Sequence, residues 1–174
     1  MNNSLQEYLN FANKLADVAG ITSMEYFRTS LSIDNKSDES PVTIADKNTE
    51  LKIRSLIENE YPDHGILGEE FDSVNPDAEF IWVIDPIDGT RSYIAGHKDF
   101  GNLISLTQNK KPIIGIINCP AHDERWVGAK NQSSTVNQQT INTSNVTAIE
   151  DAYIFTSGLY FDEPHLRNAV DKIK

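Results

Sequence analysis

At 174 residues, 39% of them hydrophobic, the chain is long enough to bury the core of one globular domain. Its net charge of -11, from 15 basic and 26 acidic residues, excludes a nucleic-acid partner and suits a protein that gathers cations. One cysteine leaves neither a disulfide framework nor a cysteine-built zinc site. No apolar stretch is long enough to span a bilayer, so a cytoplasmic protein without a membrane partner is expected.

Ser4-Leu5-Gln6-Glu7 is a capping box, in which Ser4 and Glu7 satisfy free N–H groups at a helix start. Leu5, Leu9, Ala12, Leu15, Ala16, Ala19 and Met24 follow at helical spacing, predicting a core-facing helix to about Phe27. Leu31-Ser32-Ile33-Asp34 alternates like a short strand, and 35–41 reads as a polar turn. Thr43-Ile44-Ala45-Asp46 is a second capping box. It opens a helix that carries Leu51, Ile53, Leu56 and Ile57 and stops at Pro62-Asp63. Gly65-Ile66-Leu67-Gly68 is a short strand running into Glu69-Glu70.

After a polar loop, the apolar run Phe80-Ile81-Trp82-Val83-Ile84 predicts a strand buried on both faces and ending at Asp85. Residues 103–107, 113–118 and 125–129 read as successive strands, with Asn109-Lys110-Lys111 as the first turn between them. Cys119 closes the second of these apolar runs and reads as a small buried residue, not a nucleophile. Residues 132–147 carry short strands at most, 152–156 a further strand and 164–173 a last helix. This order predicts a layered α/β or α+β domain.

The strongest chemical signal is Asp85-Pro86-Ile87-Asp88-Gly89-Thr90. An apolar strand delivers Asp85 to its end, and Pro86 is expected to stop the ladder and force a turn. Asp88 then points into the same pocket, and the Ile87 carbonyl adds an oxygen. Hard cations such as Mg²⁺ want ligands of this kind. A helix beginning at Gly89 would offer N–H groups to a phosphate, with the Thr90 hydroxyl beside them. Asp-Pro and Asp-Gly are also ordinary turn dipeptides, and Glu69-Glu70 alone would be a solvated surface pair. Their meaning comes from position, because both acidic groups follow the ends of hydrophobic strands. If those strands are neighbours, Glu69 and Asp85 meet at one edge, where a divalent ion relieves their repulsion.

These residues, with Gly68-Glu69-Glu70 and the stretch from Lys36 to Asp46, resemble the inositol-monophosphatase superfamily of lithium-sensitive, magnesium-dependent phosphatases. Within it, Arg91-Ser92-Tyr93-Ile94-Ala95-Gly96, Phe100-Gly101-Asn102-Leu103-Ile104-Ser105-Leu106 and Glu124-Arg125-Trp126-Val127-Gly128 resemble the histidinol-phosphatase branch. The resemblance implies the N-terminal α+β part of a layered αβαβα sandwich, a mostly antiparallel sheet covered by two N-terminal helices. It implies an N-terminal domain over 1–145 and the start of a second over 146–174. It also implies Mg²⁺, two or three ions per site: Glu69, Asp85 and the Ile87 carbonyl on the first, Asp85 and Asp88 on the second.

By the same resemblance, Glu69 and Thr90 activate the attacking water and Asp46 lies among the water ligands. Asp88, Gly89, Thr90 and Arg91 face the phosphate. Glu70 is a supporting acid or a surface residue, and Lys36 a phosphate contact or a solvated lysine. The implied substrate is a small phosphorylated metabolite, histidinol phosphate ahead of an inositol or related sugar phosphate, and the implied assembly a homodimer. The family's later Trp-Asp motif has no counterpart here, since Trp126 precedes Val127 and Trp82 precedes Val83. A truncated product is therefore expected, and with it a contrasting reading: an inactive portion that binds metal, phosphate or a partner chain. His64, His97, His122 and His165 lack metal-ligand spacing; His97 is a substrate contact or a surface residue. Ser157-Gly158 lacks the surroundings of a serine hydrolase.

Overall fold

A computed structural model describes residues 4–30, 33–35 and 41–153. The expected helix at 164–173, most of the strand at 152–156, Lys36, Ser157 and His165 lie outside them. The chain divides into two units, Met1–Asn142 and Thr143–Lys174. The described part of the second holds one 3-10 turn, Ile149–Asp151.

Both capping boxes form. The Ser4 hydroxyl accepts from the Glu7 N–H and the Glu7 carboxylate accepts from the Ser4 N–H at 2.6 Å, starting α1 (Leu5–Tyr26). The Asp46 carboxylate accepts from the Thr43 N–H at 2.8 Å and from its hydroxyl at 2.6 Å, starting α2 (Ile44–Glu60). Ala12, Leu15, Ala16 and Ala19 of α1 meet Ile53 and Ile57 of α2 in the main core. Met24 and Leu51 keep helical spacing but are exposed by 39% and 48%. Each lies off the stripe that faces the core, so Met24 is not the core residue expected.

A two-stranded pair, β1 (Ile33–Asn35) and β2 (Pro41–Thr43), leads directly into α2. The main sheet contains β3 (Gly65–Leu67), β4 (Phe80–Asp88), β5 (Gly101–Gln108), β6 (Lys111–Cys119), β7 (Glu124–Ala129), β8 (Thr135–Val136) and β9 (Gln139–Thr140), side by side in that order. Among the described strands only β3 and β4 run parallel. Asn109 and Lys110 both take positive φ, 49° and 63°, as a two-residue hairpin loop matching the strand twist requires. Asn137 and Gln138 repeat that device between β8 and β9.

Trp82, Ile84, Ile104, Leu106, Ile114 and Ile116 project beneath the two helices. Their strand neighbours project the other way. Among the described residues that second face is only partly covered: Ile117 is 50% and Trp126 40% exposed, and Ile81 and Val83 of β4 are half-buried.

His64 is half-buried among aromatic rings. Its Nδ1 accepts from the Trp82 indole N–H at 3.1 Å, and its ring stacks on Tyr61 and Phe80 at centroid distances of 4.6 and 5.1 Å. Burial lowers its pKa below the ordinary 6.5, against the opposing pull of Asp63 and Glu79. A histidine kept neutral by the fold contributes stability that is present above the unfolded pKa and lost as pH falls through the folded one. Urea unfolding should therefore show the midpoint dropping as pH falls below about 6.5. His64→Asn, which keeps an acceptor but cannot titrate, should flatten that decline.

Candidate metal centre

In the parallel pair, Gly65 lies opposite Ile81, Ile66 opposite Trp82 and Leu67 opposite Val83. The same register carried two residues past β3 sets Glu69 beside Asp85. The Glu69 carboxyl lies close enough to act on that of Asp85. The two acids therefore meet as the strand order predicts. Burial, then Glu69, then Asp88 push the Asp85 pKa up to about 8, and only a backbone hydrogen bond from Ile87 pulls it down. Asp85 Oδ1 is buried with no hydrogen-bond partner. An orphaned carboxylate oxygen beside a second carboxylate fits a hard cation. Among the described residues no three acidic, histidine or cysteine side chains close on one point. The arrangement is a Glu69–Asp85 pair with Asp88 further along the turn.

That turn differs from expectation. Pro86 does not end β4: the ladder resumes at Asp88, which pairs with Gly101 after Asp85 has paired with Leu103. Three steps on β4 oppose two on β5, so a bulge absorbs the proline, where its missing N–H costs no ladder bond. Buried Asn102 fixes the bulge by donating from Nδ2 to the Pro86 carbonyl at 2.7 Å, while its Oδ1 accepts from Asn118 at 2.9 Å. Gly89 follows with φ 83°, and a Cβ there would come 2.8 Å from the Asp99 carbonyl oxygen. Glycine is required on both counts.

The helix α3 (Thr90–Ile94) starts one residue later than expected and is short. The Thr90 hydroxyl donates to the Ile87 carbonyl at 3.0 Å. Tyr93 of α3 is buried and donates its hydroxyl to the Ser23 carbonyl at 2.6 Å. Burial and then nearby Asp46 raise its pKa. Asp46 itself is buried in the Thr43 capping box. Glu69, Asp88, Gly89 and Arg91 are exposed and Thr90 half-buried, all reachable by a ligand. His97 is exposed, and His122 pairs with Asp99 at 3.1 Å. Cys119 is half-buried with its thiol pKa raised by burial, as suits an unreactive residue.

Glu50 and Arg54 were not among the expected site residues. Glu50 is fully buried and accepts from the backbone N–H groups of Glu69 and Glu70 at 3.0 and 2.8 Å. Arg54 bonds Glu50 at 2.8 Å and the Phe71 carbonyl at 2.9 Å. The available signal was the i, i+4 spacing of Asp46, Glu50 and Arg54 on a helix face that also carries Ile53 and Ile57.

Residues 4–173 match the sequence profile of the inositol monophosphatase family. The chain belongs to that family. It is 36% identical over 172 residues to the chloroplastic bifunctional phosphatase IMPL2 of Arabidopsis thaliana, covering 98% of this chain and 50% of that protein. A histidinol-phosphatase of Chlorobaculum parvum is 36% identical over 168 residues, covering 95% of this chain and 65% of that one. The solved inositol monophosphatase of Zymomonas mobilis superposes with a TM-score of 0.73 at 43% identity, over 86% of this chain and 57% of that one. The chain thus spans between half and two thirds of the length of these relatives. Its α+β fold, a mostly antiparallel sheet under two N-terminal helices, is the inositol monophosphatase fold.

A carboxyl group whose folded pKa is raised from 3.8 to about 8 loses stability as pH rises through that interval. In chelator-treated buffer Asp85→Asn should therefore raise the urea midpoint at pH 8 and change it little near pH 4. Added Mg²⁺ should raise the wild-type midpoint and leave that of the variant unmoved.

Proposed function

We propose that this inositol monophosphatase family member hydrolyses small phosphate monoesters with Mg²⁺, and that histidinol phosphate is its preferred substrate. The observation that carries the reading is the buried, unpartnered oxygen of Asp85 against Glu69 at the ends of two parallel strands. Asp85, Glu69 and the Ile87 carbonyl would hold the first ion, and Asp85 with Asp88 a second. Bound there, Mg²⁺ supplies Lewis-acid polarisation of the phosphoryl group and makes water acidic enough to attack near neutral pH.

The remaining chemistry belongs to the side chains. Glu69, exposed and held next to Asp85, takes the proton from the attacking water. The Thr90 hydroxyl, donating to the Ile87 carbonyl, presents its own lone pairs to that water and orients it. The N–H groups of Gly89 and Thr90 face the phosphate oxygens, and Arg91 adds charge at the rim. Asp46 is held in its cap by Thr43 and reaches the water shell only at a distance.

The histidinol-phosphate preference rests on the stretch around Arg91–Gly96 and on the histidinol-phosphatase of Chlorobaculum parvum. A second reading, an inositol monophosphate, has the 43% identical Zymomonas mobilis protein in its favour. Phosphate release with Mg²⁺, measured on both esters side by side, separates the two. Turnover should be faster on histidinol phosphate. Glu69→Gln and Thr90→Ala should each lower kcat by roughly 100-fold or more. Full activity in Asp85→Asn would defeat the assignment. Calorimetric Mg²⁺ binding without turnover on either ester would favour a chain that binds metal without catalysing.

A further inference from the structure

We propose that Glu50 is a positioning residue: its carboxylate fixes the peptide planes on either side of Glu69 and so aims the Glu69 side chain at Asp85. This rests on the metal-site reading above. The Oε2 atom of Glu50 accepts from the N–H of Glu69 at 3.0 Å and from the N–H of Glu70 at 2.8 Å. Those two amides flank the Glu69 Cα, so one oxygen constrains the backbone torsions on both its sides. The direction of the Glu69 Cα–Cβ bond follows from them.

The clamp is closed from the other end as well. Oε1 of Glu50 accepts from Arg54 Nε at 2.8 Å, and Arg54 Nη2 donates to the Phe71 carbonyl at 2.9 Å. Residues 69 to 71 are thus gripped by two side chains one turn apart on α2, a long helix anchored in the core. A Cβ at 68 would meet the Glu50 carboxylate and the Arg54 guanidinium, so any side chain there would have to displace the clamp.

A carboxylate is needed here, not merely a polar group of that size. Three donors converge on Glu50, and an ionised carboxylate offers acceptors alone. A glutamine would turn an NH₂ group toward either Arg54 or the two amides. Stability alone is a poor explanation for the pair, since buried ion pairs can often be replaced by apolar side chains without loss. What an apolar pair cannot reproduce is the grip on the two amides beside Glu69. Outer partners of this kind typically change metal affinity by about 10- to 100-fold.

The test compares the wild-type chain with Glu50→Gln, with Glu50→Leu/Arg54→Met and with Gly68→Ala. The double variant removes both charges together and keeps the volume, so that it folds even if the single carboxamide does not. Calorimetric Mg²⁺ binding and amide exchange followed by NMR are read on each folded protein. The inference expects Mg²⁺ affinity to fall by about tenfold or more in all folded variants. Exchange should accelerate at the Glu69 and Glu70 amides while those of Leu15 and Ile116 stay protected. In phosphate release the Mg²⁺ concentration for half-maximal rate should rise, with the substrate KM little changed.

Wild-type Mg²⁺ affinity in the double variant would overturn the inference and leave the metal site standing. So would slow exchange at Glu69 and Glu70 once Glu50 is gone. Absence of Mg²⁺ binding by the wild-type chain itself would overturn the metal-site reading and, with it, this one.

Discussion

The parallel pairing of β3 with β4 is the constraint on which the site depends. Parallel strands end on the same side of a sheet, so the residues that leave them leave together. Had the two been antiparallel, like every other neighbouring pair in this sheet, Glu69 and Asp85 would sit at opposite ends. Parallel neighbours need a long connection, and residues 68–79 supply it. That connection also covers the outer edge of β3, since Ile66 and Val74 exchange backbone hydrogen bonds at 2.8 and 2.9 Å.

Two buried acids close to this junction are treated in opposite ways. Glu50 is fully enclosed, and its charge is met by Arg54 and two backbone amides. Asp85 is partly enclosed, faces two further acids and retains an oxygen without a partner. The first arrangement is complete within the protein. The second is costly unless a cation enters, because crowded carboxylates disfavour each other's ionised form. Completeness in one place and deficit in the other separate the supporting acid from the ligand acid. The polar chain through Asn102 and Asn118 does for the β4 bulge what Glu50 does for the β3 end.

Much of this was legible in the sequence, for local reasons. Ser4-x-x-Glu7 and Thr43-x-x-Asp46 announced both helix starts because capping bonds close within four residues. The apolar runs gave the strands, and Asn109-Lys110-Lys111 the turn between two of them, of which Lys111 already belongs to β6. The meeting of Glu69 with Asp85 was legible only conditionally, since strand adjacency is a tertiary fact. Pro86 misled because a proline usually ends a ladder, and the one-residue bulge that accommodates it depends on Asn102 of the next strand. Glu50 escaped notice because its partners lie 19 and 20 residues away on another element. Met24 shows the opposite error: helical spacing placed it near the core stripe, yet the stripe turns away from it.

The central claim is that the ends of β3 and β4 form a divalent-cation site. A crystal of the chain grown with Mn²⁺ in place of Mg²⁺ tests it most directly, because Mn²⁺ scatters anomalously. The account predicts an anomalous peak within about 2.2 Å of a carboxylate oxygen of Asp85, with Glu69 also bound to the ion. A peak elsewhere on the surface with none at Asp85, or no peak at saturating Mn²⁺, would contradict it.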